Sequence, residues 1–145
     1  VVRVDLLRLD PELDLPAYAR EADAGADLVA REDVRLAAGG GRAAVGTGVA
    51  VAIPRGWAGL VVPRSGLALH HGVTVLNAPG LIDPGYRDEL KVVLVNTDPE
   101  RDYEVARGDR VAQLVVMATE QVRFQVVAEL PASARGMGGF GHTGR

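Results

Sequence analysis

Cysteine is absent from the chain, which excludes disulfides, thiolate zinc sites and thiol nucleophiles. A chain built this way suits a reducing compartment, so a cytoplasmic location is expected. Apolar runs are short. None approaches the ~20 residues of a membrane-crossing helix, and the opening VVRVDLLRLD carries charges where a secretion signal has an apolar centre. No membrane partner is expected. Aromatic residues number only 2 Phe, 1 Trp and 3 Tyr, and the formal net charge is -3. Nucleic-acid binding needs a basic face and stacking platforms, so no nucleic-acid partner is expected either. The single lysine, Lys91, follows no glycine-rich loop, and no G-x-G-x-x-G joins a strand to a helix. His70, His71 and His142 show neither metal-site nor triad spacing.

What is present is an ordinary globular composition. The 145 residues, 48% hydrophobic and 24% charged, are enough for one domain with a real core. Lys91 is the only lysine among 16 Lys and Arg, and Ala, Val and Gly abound, which suggests GC-rich coding and a bacterial source. Residues 2–9 read as an edge or half-buried strand. Short runs rich in valine follow: VRLAA, AVGTGVAVAI, GLVV, VTVL, LKVVLVN, RVAQLVVMA and VRFQVVAEL, bounded by Gly, Pro or Asn-Thr-Asp. LKVVLVN and AQLVVM are continuously apolar, which predicts cover on both faces. GGGR, residues 39–42, reads as a hairpin turn. One short helix is predicted over residues 64–71, stopped by Gly72. The pattern predicts an all-β fold of jelly-roll or sandwich type with one short helix. Residues 1–130 form the core. Residues 131–145, PASARGMGGFGHTGR, form a glycine-rich, flexible C-terminal arm.

Several stretches carry polar groups suited to phosphate chemistry. PRSGLA, residues 63–68, puts Arg64, Ser65 and Gly66 at the start of the helix, where unpaired N–H groups favour an anion. An ordinary serine-capped helix is the equal alternative. In GLIDPGYRDEL, residues 80–90, Asp83 precedes a Pro-Gly turn, either as simple turn chemistry or as a base held by that turn. RGDRVAQLV, residues 107–115, sets Gln113 in an apolar strand, as an outward residue or a ligand contact. AGADL, residues 24–28, offers Asp27, which either pairs with an arginine or faces a hydrated metal. In the arm, glycines flank Phe140, as in a segment that closes over something.

In their order and spacing, AGADL, PRSGLA, LNAPGLIDPGYRDEL, RGDRVAQLV and RGMGGFGHTG resemble the five motifs of the trimeric dUTPase family, bacterial type. That resemblance runs from residue 24 to the end. It implies hydrolysis of dUTP to dUMP and pyrophosphate, in a homotrimer of jelly-roll subunits that share their active sites. It implies Mg²⁺ held mainly by the substrate triphosphate, with Asp27 reaching it through water or bracing the site. Asp83 matches the general base that activates water. Arg64, Ser65, Gly66 and Gln113 match phosphate contacts. Asn77, Leu81 and Ile82 belong to a hairpin over the uracil edge, and Tyr86 matches the ring that refuses a 2′-hydroxyl. Lys91 matches a pocket position of bacterial relatives. In the arm, Arg135 is expected on the γ-phosphate and Phe140 on the uracil, with Gly141, His142 and Thr143 closing on the terminal phosphate. Ala26 and His142 depart from the residues common in the family. The rivals are a dCTP deaminase, disfavoured by Gly66 and the apolar Leu81-Ile82 pair, and a non-catalytic module of the same fold.

Overall fold

The computed structural model describes residues 1–144; Arg145, the end of the expected arm, lies outside the described residues. In chain order the elements are β1 (Asp5–Arg8), β2 (Ala26–Val29), β3 (Val34–Leu36), β4 (Arg42–Gly46), β5 (Val49–Ala52), β6 (Trp57–Val62), α1 (Ser65–His71), β7 (Val73–Val75), β8 (Gly80–Ile82), β9 (Lys91–Asn96), β10 (Tyr103–Val105) and β11 (Arg110–Ala118). They form four antiparallel sheets among the described residues, ordered β1-β5, β10-β3, β2-β11-β6-β8 and β4-β9-β7. The fold is mostly β with one short helix, as the sequence predicts. No helix among the described residues is long and apolar enough to cross a membrane.

Alternation of apolar residues builds the core. Val49 and Val51 of β5, Val73 and Val75 of β7, and Val92 and Leu94 of β9 meet Leu28, Leu36, Leu90 and Val111 in one buried cluster. Each such leucine, fully buried, contributes about 1.5–3 kcal/mol. Two polar side chains are buried with them, and both are satisfied. Thr47 donates to the Leu90 carbonyl (2.7 Å), and the Asn96 amide donates to the carbonyls of Leu36 (3.1 Å) and Arg101 (2.8 Å).

The helix begins one residue later than predicted and stops where expected. Gly72 adopts φ 63°, and its N–H closes the last turn. A side chain there would be strained, and its Cβ would lie 2.8 Å from Thr97 Oγ1. Ser65 is not the cap: Arg64 takes that place in an extended conformation, with no side-chain hydrogen bond to the helix.

Four expectations need correction. Residues 122–130 form no strand. Phe124 and Val126 are 91% and 98% exposed, because the segment has no neighbouring strand in this chain to complete its hydrogen bonds. GGGR does turn, with positive φ at Gly39 and Gly40, but β3 and β4 on either side pair with β10 and β9, so it is not a hairpin. The segment from Asn77 to Asp83 likewise crosses between sheets, since β7 pairs with β9 and β8 with β6. Finally, full cover holds only in part of the two apolar strands. Val93 of β9 and Val115 of β11 are half-buried.

Candidate active site

Strand β6 connects the two places where the candidate residues gather. Beyond its C-terminal end the chain reaches Arg64, level with the start of β11 and facing β2. Asp27 of β2 sits between two guanidinium groups there, with Arg64 Nε 3.5 Å and Arg110 Nη1 3.7 Å from its carboxylate. Gln113 donates to the same carboxylate at 3.3 Å, and Arg64 donates to the Arg110 carbonyl at 3.3 Å. Gly25 packs closely on this group, since a Cβ there would lie 3.0 Å from Gln113 Cβ. Three separate sequence motifs thus meet at one carboxylate. Ser65 and Gly66 stand exposed beside it on the first turn of α1, and nothing in the chain approaches the place of a Gly66 side chain. Arg110 was missed in the sequence. Its one signal is that it opens the strand bearing Gln113.

The second group lies at the other end of β6. Ile82 pairs with Gly59 and Gly80 with Val61, which places Asp83 level with Ala58. Its turn is closed by the Tyr86 N–H donating to the Asp83 carbonyl (3.1 Å). Asp83 is exposed and lines a groove of about 750 Å³ with Trp57, Leu81, Gly85 and Glu120. Asn77 and Leu81 are exposed nearby, and Ile82 is half-buried. The Tyr86 hydroxyl donates to the Glu89 carbonyl at 2.9 Å. Counted along β6, Asp83 and Arg64 are six residues apart, or roughly 20 Å at ~3.3 Å per residue.

The arm forms a third group. The Arg135 guanidinium donates to the carbonyls of Gly138 (2.6 Å) and Gly139 (3.5 Å), folding the segment into successive turns. Arg135, Phe140, Gly141, His142 and Thr143 line one open concavity, with Phe140 fully exposed. The His142 ring packs on Gly138, where a Cβ would lie 2.7 Å from Nδ1. Lys91 joins none of the three groups. It is exposed on β9, opposite Gly46, with no ion pair among the described residues. No cluster of three or more His, Asp or Glu that could hold a metal ion occurs among the described residues.

The Arg-Gly-Asp triplet makes contacts elsewhere in the fold instead of joining a candidate group. Arg107 of the Arg-Gly-Asp triplet donates twice to Asp10, at 2.7 and 3.1 Å, and holds its carboxyl well below the ordinary value of 3.8, at about 2. Asp109 accepts from the Ala106 N–H and closes the turn before β11.

The chain is similar to known proteins over nearly its whole length. The family model described as dUTPase matches residues 12–144. The deoxyuridine 5'-triphosphate nucleotidohydrolase of Thermobifida fusca is 59% identical over 143 residues, covering 99% of this chain and 79% of that protein. That of Corynebacterium glutamicum is 51% identical over 142 residues, covering 98% and 95%. A Staphylococcus bacteriophage 80alpha dUTPase solved with dUPNHPP superimposes with a TM-score of 0.91 over 100% of both chains at 27% identity. A mutant dUTPase of S. aureus phage phi11, whose structure concerns the coordination of a structural Mg(II) ion, superimposes with a TM-score of 0.81 at 25% identity, over 88% of this chain and 98% of that one. With a family match spanning nearly all its residues and bacterial relatives above half identity, this chain belongs to the dUTPase family of deoxyuridine 5'-triphosphate nucleotidohydrolases.

Proposed function

We propose that the chain hydrolyses dUTP to dUMP and pyrophosphate at sites shared between copies of itself in a homotrimer, keeping uracil out of DNA and supplying dUMP. Asp83 takes a proton from a water molecule, and the water oxygen bonds to the α-phosphorus. The bond from that phosphorus to the α–β bridging oxygen breaks, and pyrophosphate leaves. A positioned base contributes about 10²–10⁴-fold. Arg64, Ser65, Gly66 and Gln113 hold the phosphate chain, with Asp27 aiming Arg64. Asn77, Leu81 and Ile82 border the uracil, and Tyr86 lies against the deoxyribose. Arg135, Gly141, His142 and Thr143 close on the terminal phosphate, while Phe140 stacks on the base, worth roughly 1–3 kcal/mol. Residues 131–145 act as the arm that brings these groups. Lys91, exposed on β9, is proposed only as an outer pocket contact.

One observation carries the shared site: Asp83 and Arg64 of one chain stand at opposite ends of β6. That separation favours a site in which the base of one copy works with the phosphate corner of another. The exposed run at Val122, Phe124 and Val126 supports the same reading, since apolar residues on such a segment are expected to lie against a neighbour. The donor set argues against an ion caged by protein carboxylates. Asp27 is already committed to two guanidinium groups, so Mg²⁺ fits here as an ion borne by the triphosphate, where it neutralises developing charge. A deaminase would need a polar group for the cytosine ring where Leu81 and Ile82 stand.

Mixing tests the proposal directly. Asp83→Asn and Arg64→Ala chains are each expected to lose turnover, the first by about 10²–10⁴-fold with binding of dUTP retained. Unfolded and refolded together, they should regain pyrophosphate release, because some sites then draw both groups from intact donors. A mixture as inactive as its components would place the whole site on one chain and overturn the reading.

A further inference from the structure

The turn that carries Asp83 and Tyr86 is exposed, yet its carbonyls are held. The Arg87 guanidinium donates to those of Pro84 (2.6 Å) and Tyr86 (3.0 Å). The Tyr86 phenol is fixed at its far end by the Glu89 carbonyl. That acceptor is only as steady as Glu89 itself, and Glu89 is tied down strongly. Its carboxylate accepts from the Gly48 N–H at 2.9 Å and from Arg31 Nη1 at 3.1 Å. Gly46 approaches so closely that a Cβ there would lie 2.9 Å from Glu89 Oε1. The next residue, Leu90, is fully buried and hydrogen-bonded to Thr47 and Val49. Arg31 is secured in turn. Its guanidinium lies 3.5 Å from Asp10 and donates to the Leu9 carbonyl (3.3 Å), and its own carbonyl accepts from Arg107 at 2.6 Å. A continuous line of bonds therefore runs from Arg107 through Asp10, Arg31 and Glu89 to the Tyr86 ring.

We propose that Glu89 and Arg31 are positioning residues that hold the Tyr86 ring in place and thereby set how strictly the site refuses a 2′-hydroxyl. The inference rests on the reading of Tyr86 as the sugar gate. Neither residue touches the nucleotide in this scheme. They act through one phenolic hydrogen bond. A ring freed at its hydroxyl end can swing about its side-chain torsions, and a displacement near ~1 Å is enough to change what fits beside it.

The test is the ratio of kcat/KM for dUTP to that for UTP in the full chain, with thermal melts as controls. Tyr86→Ala should lower the ratio most. Tyr86→Phe, which keeps the ring and loses the hydroxyl, and Glu89→Gln, which loses the ion pair, should each lower it about 3- to 10-fold, chiefly by admitting UTP. Their combination should do little more than either alone, since both act on one path. Arg31→Gln should repeat the Glu89→Gln effect, and Arg31→Lys should recover much of it; this pair carries the test if Glu89→Gln fails to fold. General loosening would depress both substrates together and leave the ratio unchanged. A wild-type ratio in Tyr86→Phe or in Glu89→Gln, alongside a lowered one in Tyr86→Ala, overturns the positioning role while the gate stands. An unchanged ratio in Tyr86→Ala removes the gate, and the inference with it.

Discussion

Arg64 and Arg135 are both assigned to phosphate, and the protein treats them in opposite ways. Arg64, at the start of α1, is held before any ligand arrives, between the Asp27 carboxylate and the Arg110 carbonyl of strands that also bury residues in the core. Arg135 bonds only to carbonyls of its own glycine-rich turns, on a segment exposed along almost its whole length. The first arrangement loses its conformational freedom during folding. In the proposed function the second would be ordered when substrate binds, which would lower net affinity but let the site open for entry and release. The difference teaches where rigidity is placed: at the corner around Asp27 proposed to register the phosphate chain, and not at the arm proposed to close over it.

Deleting residues 131–145 should break this comparison most severely. We expect kcat/KM to fall by about 100-fold or more, from lost base stacking and phosphate contacts, while the melting temperature stays within about a degree because no core residue is removed. Calorimetry and steady-state kinetics on the truncated chain check both halves. A melting temperature that falls sharply would show the arm to be part of the folded core.

Asp27→Asn probes the rigid side. The amide removes the charge that aims Arg64, so kcat/KM should fall about 10-fold, and stability by about 1 kcal/mol, since a hydrogen-bonded partner remains. Equal losses for full-length and truncated chains would show that corner and arm act independently.

The smallest effect is confined to acid. Asp10 binds its proton at about 2 in the folded chain against 3.8 ordinarily, because Arg107 hydrogen-bonds its charged form. The unfolded chain therefore takes up that proton first as pH falls. The contribution is complete above about pH 4 and is lost as pH drops through about 2. Asp10→Asn should accordingly flatten the acid limb of stability between those values and leave it unchanged in shape at neutral pH, as a series of denaturant melts would show.

Local signals made some of this legible in the sequence and left other parts hidden. The end of α1 was readable because Gly72 is a single-residue stop, and β9 because its valines run together. β2 was not, since Ala26–Val29 is four residues flanked by glycine and charge, and β10 is shorter still. Residues 122–130 alternate as a strand should, but a strand also needs a partner ladder, which no pattern within the segment supplies. Asp27 shows the same limit at the site. The sequence left it open between metal water and brace, and only the meeting of β2, β11 and the residues after β6 puts two arginines against it. The line from Arg107 to Glu89 was invisible for a related reason, because its members are contributed by four distant stretches of chain.

One consequence of the corner at Asp27 concerns charge and not shape. Two guanidinium groups flank a single carboxylate, so one positive charge remains uncancelled on a chain whose formal net charge is -3. The surface as a whole repels a polyanion while this spot attracts it, over a distance set by a screening length of about 8 Å at physiological salt. If this corner receives the phosphate chain as proposed, added salt should weaken the capture of substrate and leave the chemistry that follows capture largely untouched.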